Sequence, residues 1–225
     1  MQYKNLTIIG TSHIAKESID SVKYFIENEK PDIVALELDQ KRVNALLYGG
    51  KRDHIYTLRN VGFKGFLFSL IGEWAEKKLG KLVGVKPGSE MLTAFKLAKK
   101  NNIEIVLIDQ DIEITLKRFS KTLSWKERFN FIIDILKSPF SKNKIKFDLN
   151  KVPSQNIIKH LISEVKKRYP NIYKVLIEER NEIMARRLHN LMKENKKILA
   201  VVGAGHEEDI IELIKKREAK NITYL

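Results

Sequence analysis

The chain has 225 residues, no cysteine, and 42 Lys and Arg against 28 Asp and Glu, a formal net charge of +14. That length suits one large domain or a core domain with a helical insertion, and a hydrophobic fraction of 43% argues against extensive disorder. The lack of cysteine excludes a disulfide framework, a thiolate metal site and a cysteine nucleophile, and is compatible with a reducing cytoplasm.

The N-terminal Met1-Gln2-Tyr3-Lys4-Asn5 enters a strand without the basic-then-apolar arrangement of a signal peptide. No apolar run approaches the ~18 residues of a membrane-spanning helix. Four short runs have the length and β-branched content of buried strands, at about residues 5–9, 32–38, 103–108 and 197–202. Between the first two, Ala15, Ile19, Val22, Phe25 and Ile26 keep the helical period up to Pro31. Strand, helix and strand make a βαβ unit with parallel pairing and a right-handed crossover.

Asp39 to Leu47 reads as a helix ended by Gly49-Gly50. Residues 55–85 read as short helices over one edge of the site. There Phe63, Phe66, Leu67, Leu70, Ile71 and Trp74 share a stripe that is core, or alternatively a lid or a membrane contact. Pro87-Gly88-Ser89 opens the next helix, with Ser89 as N-cap and Met91, Leu92, Phe95 and Ala98 buried. Residues 112–192 read as almost entirely helical, broken near Ser138-Pro139, Val152-Pro153-Ser154 and Tyr169-Pro170. A final strand-like piece covers Ile222-Thr223-Tyr224-Leu225. The expected division is a single domain over 1–225, with an α/β core from 1–50, 87–111 and 196–225 and helical insertions at 55–85 and 112–192. Residues 117–168 carry 14 Lys or Arg and 4 Asp or Glu, a face that suits nucleic acid, an anionic membrane or an acidic substrate. A solvated lysine-rich surface is the simpler reading, because few aromatics are interleaved.

In open α/β sheets ligands bind beyond the carboxyl ends of the strands. The polar residues there are Thr11, Ser12 and His13 after the first strand, Glu37 and Asp39 at the second, Asp109-Gln110-Asp111 at the third, and His206 after the fourth. Both histidines stand in the same setting, Gly10-Thr11-Ser12-His13 and Gly203-Ala204-Gly205-His206, each between an apolar run and a helix. The leading glycine lets the chain turn off the strand and leaves room near the main chain. These two corners are expected to meet. Glu37 is a carboxylate inside a buried run, costly without a cation, a metal or strong donors. Arg180 shares a helical stripe with Leu176, Ile177, Ile183, Met184 and Leu188, so its guanidinium points coreward, beside Glu178 and Glu179. His54, His160 and His189 read as surface residues. Two histidines with carboxylates suit a divalent metal (Mn, Co or Zn) with an open position, His13, His206 and Glu37 being the ligand set. Serine catalysis at Ser12 lacks a nucleophile elbow, and no phosphate loop occurs.

Taken in order, these motifs resemble the TraB/PrgY family, which is similar to the Tiki proteases and more distantly to the erythromycin-esterase and ChaN-like proteins. The resemblance rests on Gly10-Thr11-Ser12-His13 with Ser18, Pro31-Asp32-Ile33-Val34 leading to Glu37-Leu38, and Arg42. It continues through Pro87 to Met91, Leu107-Ile108-Asp109, Thr115-Leu116, Glu179-Arg180-Asn181-Glu182 with Met184-Ala185, and Val202 to His206. It implies a mixed α/β fold, with a largely parallel central sheet flanked by helices and a large helical insertion. It further implies a metal-dependent hydrolase acting on a peptide or small molecule. Carried over by position, His13, Glu37, Glu90, Arg180 and His206 become the catalytic candidates, supported by Gly10, Ser12, Arg42, Asp109, Glu179, Gly203 and Gly205. From the residues alone, Glu90 reads only as a dipole-favourable group in a helix first turn. Two departures stand out: Gln110 replaces the family's usual Arg, and Glu207-Glu208-Asp209 replaces a small residue and Gly. Relatives often continue into membrane helices, which implies a place in the cytoplasm or on the cytoplasmic face of a membrane, with the basic face on anionic lipid. A sequestering module without catalysis and a nucleic-acid binder are the alternatives, and an oligomer is compatible with either.

Overall fold

Four parallel strands and one short antiparallel strand build the sheet, and helices cover both of its faces. The structure, a computed structural model, describes residues 1–12, 16–49, 88–137, 152 and 154–222. Strands are β1 (Gln2–Tyr3), β2 (Leu6–Thr11), β3 (Ile33–Leu36), β4 (Glu104–Leu107) and β5 (Ile198–Gly203). Their spatial order is β1-β2-β5-β3-β4, with only β1 antiparallel. The four apolar runs are thus the four parallel strands. The βαβ reading needs one correction: β2 and β3 are parallel, but β5 lies between them and pairs with both.

Alternation along the strands sorts side chains into two cores. Ile8, Ile33, Ala35, Ala200 and Val202 face Met184, Ala185, Leu188, Ile210 and Ile214. Ile9, Val34, Leu36, Leu199 and Val201 face Val22, Ile26, Val43, Met91, Ala94 and Ala98. The second group comes from helices α1 (Lys16–Glu29), α2 (Gln40–Tyr48) and α3 (Ser89–Lys100). Asp39 caps α2 by accepting from the amides of Lys41 and Arg42, and Gly49 closes it with φ of 62°. Gly88, not Ser89, is the residue before α3. At φ of 78° it is left-handed and packs so closely on Leu46 that a Cβ there would lie 2.9 Å from that side chain.

Between β4 and β5 run α4 (Ile112–Thr122), α5 (Trp125–Lys137), α6 (Gln155–Arg168), α7 (Pro170–Tyr173), a π turn (Lys174–Glu178) and α8 (Glu179–Leu191). Over its described residues the expected helical stretch is present, with an extra break at Leu123-Ser124. There the Ser124 amide and hydroxyl both donate to Glu127, starting α5 afresh. Pro170 interrupts for a single residue, because proline suits the first turn of a helix. Helix α9 (Glu207–Ile222) follows β5, so Ile222 ends a helix rather than opening a strand. The rest of that expected strand, the stripe from Phe63 to Trp74, residues 138–151, His54 and His13 lie outside the described residues. No helix among the described residues is long and apolar enough to cross a membrane.

Candidate functional site

Strand parity decides where Glu37 points. It is the first residue past β3 rather than inside it, but its amide still donates to Val201 at 3.0 Å, so the strand's alternation carries on. Ile33 and Ala35 face the α8–α9 side, and Glu37 follows them there. Helix α8 leads into β5 and therefore begins at the carboxyl edge of the sheet. Arg180 stands one turn before Met184 and two before Leu188 on its buried face, so the guanidinium arrives over the strand ends.

There Arg180 Nη2 donates to Glu37 Oε1 and, at 2.6 Å, to Asp109 Oδ2, while Nε lies 3.1 Å from Asp109 Oδ1. Its Nη1 donates to the Leu176 carbonyl at 3.1 Å, within the π turn. Its partners are therefore Glu37 and Asp109, not the adjacent Glu178 and Glu179. Glu178 lies 3.6 Å from Lys166, and Glu179 pairs with Arg118. Arg42 closes the other side, donating from Nη2 to Asp109 at 2.5 Å and from Nε to Asp39 at 2.6 Å. Burial alone would push the Asp109 carboxyl up, but the Arg180 and Arg42 guanidiniums override it and hold it below the ordinary carboxylate value. Burial pulls Arg180 down, and Glu37 and Asp109 together raise it above the usual guanidinium value.

The second Gly-x-x-His corner joins this cluster. The Gly203 amide donates to Glu37 Oε2 at 2.5 Å, and His206 Nε2 lies 3.5 Å from Glu37 Oε1 and 3.5 Å from Arg180 Nη1. Behind the ring, His206 Nδ1 is 2.6 Å from Asn181 Oδ1, and Asn181 Nδ2 donates to Asp209 Oδ2 at 3.0 Å. A carboxylate only accepts, so the Asn181 nitrogen faces Asp209 and its oxygen faces the ring. His206 then donates from Nδ1, and its Nε2 is the ring nitrogen turned toward Glu37 and Arg180. Burial, then the nearby Glu212, raises the Asp209 carboxyl above its ordinary value. A groove of about 400 Å³ opens beside this chain, lined by Glu179, Asn181, Asp209 and Glu212 among others.

The two corners do adjoin at their glycines. Thr11 pairs with Gly203 in register, and the Thr11 carbonyl accepts from the Ala204 amide at 2.9 Å. Neither Gly10 nor Gly203 has a positive φ, so conformational freedom is not what these positions need. A Cβ on Gly10 would lie 2.6 Å from Glu207 Oε2 and 3.0 Å from the Ala204 Cα. The room at Gly10 is therefore filled by the opposite corner, not kept for a ligand. Gly205 packs on Ile162. Ser12 is held through its backbone, its amide donating to Ser18 Oγ at 2.9 Å.

The remaining candidates lie on other elements. Glu90 is fully buried in the first turn of α3, a helix whose apolar residues pack on the face of the sheet opposite α8. Gln110 turns its amide to Thr115 at 3.0 Å, while its backbone amide donates to Asp109. Missed in the sequence were Asn181 and Asp209, although Asn181 directly follows Arg180 and Asp209 lies three residues after His206. Missed too was Arg187, whose Nη1 donates to the Asp109 carbonyl at 2.6 Å.

Among the described residues no three His, Asp or Glu side chains are grouped to hold a metal ion. Glu37 and His206 Nε2 supply two donors, and Arg180 stands against both, whereas a catalytic zinc site uses three protein ligands. The third expected ligand, His13, lies outside the described residues.

The chain is 37% identical over 219 residues to an uncharacterized protein of Methanocaldococcus jannaschii, covering 96% of this chain and 55% of that protein. It is 26% identical over 192 residues to the TraB domain-containing protein of Homo sapiens, covering 77% of this chain and 49% of the relative. The mouse protein of the same name is 26% identical over 188 residues. The chain thus spans about half the length of the curated relatives it matches. The profile of one family runs over residues 2–224, taking in both glycine corners and the Glu37–Arg180–His206 cluster, and the chain belongs to that family, TraB/PrgY/gumN.

Proposed function

We propose that the chain is a hydrolase of acyl bonds, with peptides as the substrate class, working at the Glu37–Arg180–His206 cluster. The observation that supports it is the Asp209–Asn181–His206 chain of hydrogen bonds, which fixes the ring with Nε2 facing Glu37 and Arg180. In this reading His206 Nε2 takes a proton from water as the water attacks the carbonyl. Glu37, 3.5 Å from Nε2, stabilises the imidazolium that forms. Arg180 Nη1 donates one proton to Leu176 and, in this reading, swings the other from His206 Nε2 to the developing oxyanion once substrate is bound. The protonated His206 then delivers its proton to the leaving amine. A divalent Mn, Co or Zn ion enters the proposal only with His13 as a third ligand; bound, it would acidify the attacking water.

Cleavage of a peptide library by the wild type, His206→Ala, Glu37→Gln and Asp209→Asn tests this reading, with metal content measured on each preparation. His206→Ala is expected to lose about 10²–10⁴-fold in turnover. Asp209→Asn is expected to lose turnover while melting no lower, since the substitution removes a carboxylate whose ionisation its surroundings disfavour. Wild-type turnover in His206→Ala would overturn the proposal. A stoichiometric metal lost in that variant would reassign His206 from base to ligand.

A second reading is a module that sequesters a peptide without cleaving it. It is favoured by the internal satisfaction of Arg180, whose Nε, Nη1 and Nη2 all have protein partners. It predicts saturable binding without products and weaker affinity in Glu37→Gln.

A further inference from the structure

Strand β4 is the outer strand of the sheet on the side away from β1. In a parallel pair, alternate residues direct both amide and carbonyl to the same side. The amides of Glu104 and Ile108 donate inward, to Asp32 and Leu36, so Ile105 and Leu107 direct theirs outward. Arg187 confirms the direction, reaching the Leu107 carbonyl from outside at 3.3 Å. Among the described residues none bonds the Ile105 amide and carbonyl or the Leu107 amide on that edge.

Alongside lies a groove of about 810 Å³ between this strand and helices α2 and α3. Its floor is apolar, from Val43, Leu47, Phe95, Ile105 and Leu107, and Tyr48 is 81% exposed at its rim. Among the described residues every charged group lining it is positive: Lys96, Lys99 and Lys100. Proteins often blunt an edge with charges on the strand itself. The only charge on β4 is Glu104 at its start, already paired with Lys196 at 2.9 Å, so the lysines of α3 are not serving that purpose. Open backbone groups, an apolar trough and a one-signed rim together suit an extended chain with acidic side chains.

We propose that β4 is a docking edge for an extended acidic peptide segment, which adds to the sheet as a sixth strand. Its backbone pairs with Ile105 and Leu107, its apolar side chains enter the groove, and its carboxylates meet Lys96, Lys99 and Lys100. The inference concerns binding alone and does not depend on the chemistry at Glu37.

The test uses a fluorescein-labelled hexapeptide of alternating glutamate and leucine, its lysine counterpart, and the glutamate peptide with alternate amides N-methylated. Anisotropy is measured with the wild type, Lys96→Glu/Lys99→Glu and, as a control on a different helix, Lys117→Glu/Lys121→Glu. The acidic peptide is expected to bind, to weaken about tenfold or more in the first variant alone, and to lose binding on N-methylation. Bound peptide should also slow hydrogen exchange at the Ile105 and Leu107 amides. Equal weakening in both variants, indifference to N-methylation, equal binding of the lysine peptide, or no binding of the acidic peptide would each overturn the proposal. Binding that persists in a Glu37→Gln protein lacking turnover would separate this site from the chemistry.

Discussion

Asp109 has a fully buried side chain between two guanidiniums, and each of its oxygens accepts from Arg180 or Arg42. Its carboxyl is held below its ordinary value of 3.8, so the folded state favours the ionised form more than the unfolded chain does. The stability from that difference is present above about pH 4 and drains away as pH falls through the lowered folded value. Asp109→Asn should cost about 3–5 kcal/mol at pH 7, because Arg42 and Arg180 are left short of a buried counter-charge. Urea titrations from pH 3 to pH 7 check this: the variant should be weaker throughout and lose part of the wild type's acid-side slope. An unchanged midpoint would show the pairing to be dispensable. Legibility also divides at this scale. Glu37, Arg180 and His206 stood out in the sequence because each interrupts an apolar pattern or repeats a corner. Asn181 and Asp209 did not, since their role depends on the packing of α8 on α9, and a polar residue in a helix first turn is ordinary. Glu179 shows the converse: adjacency to Arg180 suggested a partner, yet the helix turns it outward to Arg118.

At the scale of elements, the insertion of β5 between β2 and β3 brings the two glycine corners together and hands Glu37 the Gly203 amide. Strand existence was readable, since buried parallel strands are continuous β-branched runs, whereas strand order was not, because any such run can pair with any other. The two glycines then differ sharply. A Cβ on Gly10 would overlap Glu207 Oε2 at 2.6 Å and press on the Ala204 Cα at 3.0 Å, where backbone must shift to make room, whereas one on Gly203 meets Glu37 and His206 at 3.4 and 3.5 Å, ordinary contact. Gly10→Ala is therefore expected to cost about 1–3 kcal/mol through forced separation of the corners. Gly203→Ala should stay within about 0.5 kcal/mol of wild type. Denaturant midpoints of the two variants make the comparison, and equal losses would refute the crowding argument. The π turn is a further element that no period count predicts, because its residues fit an α-helical pattern equally well.

Across the whole molecule the positive charge is lopsided, with a net +10 within residues 117–168. The helices of that region also expose Trp125 at 81% and Phe129 at 66%, one turn apart on α5. Basic residues around exposed aromatics on a helix suit the interface of an anionic bilayer. The full chain is expected to sediment with vesicles containing phosphatidylserine and not with neutral ones, and Trp125→Ala/Phe129→Ala should release it at physiological salt. Equal sedimentation of that variant would leave charge alone as the cause. The layered α/β architecture was legible from the alternation of strand-like runs and periodic helices. Less so was the break at Leu123-Ser124, which rests on hydrogen bonds from Ser124 to Glu127 rather than on a proline.

The central position of β5 carries a consequence in time. The strand that joins the two halves of the sheet is about 190 residues downstream of its neighbour β2. At about 5–20 residues per second of synthesis, β2 and β3 wait roughly 10–40 s for the partner that separates them. During that interval Ile9, Val34 and Leu36 have no Leu199 or Val201 to pack against. Until β5 emerges, β2 and β3 each keep one edge without its native partner, an edge that a chaperone or an early helical shield would have to cover.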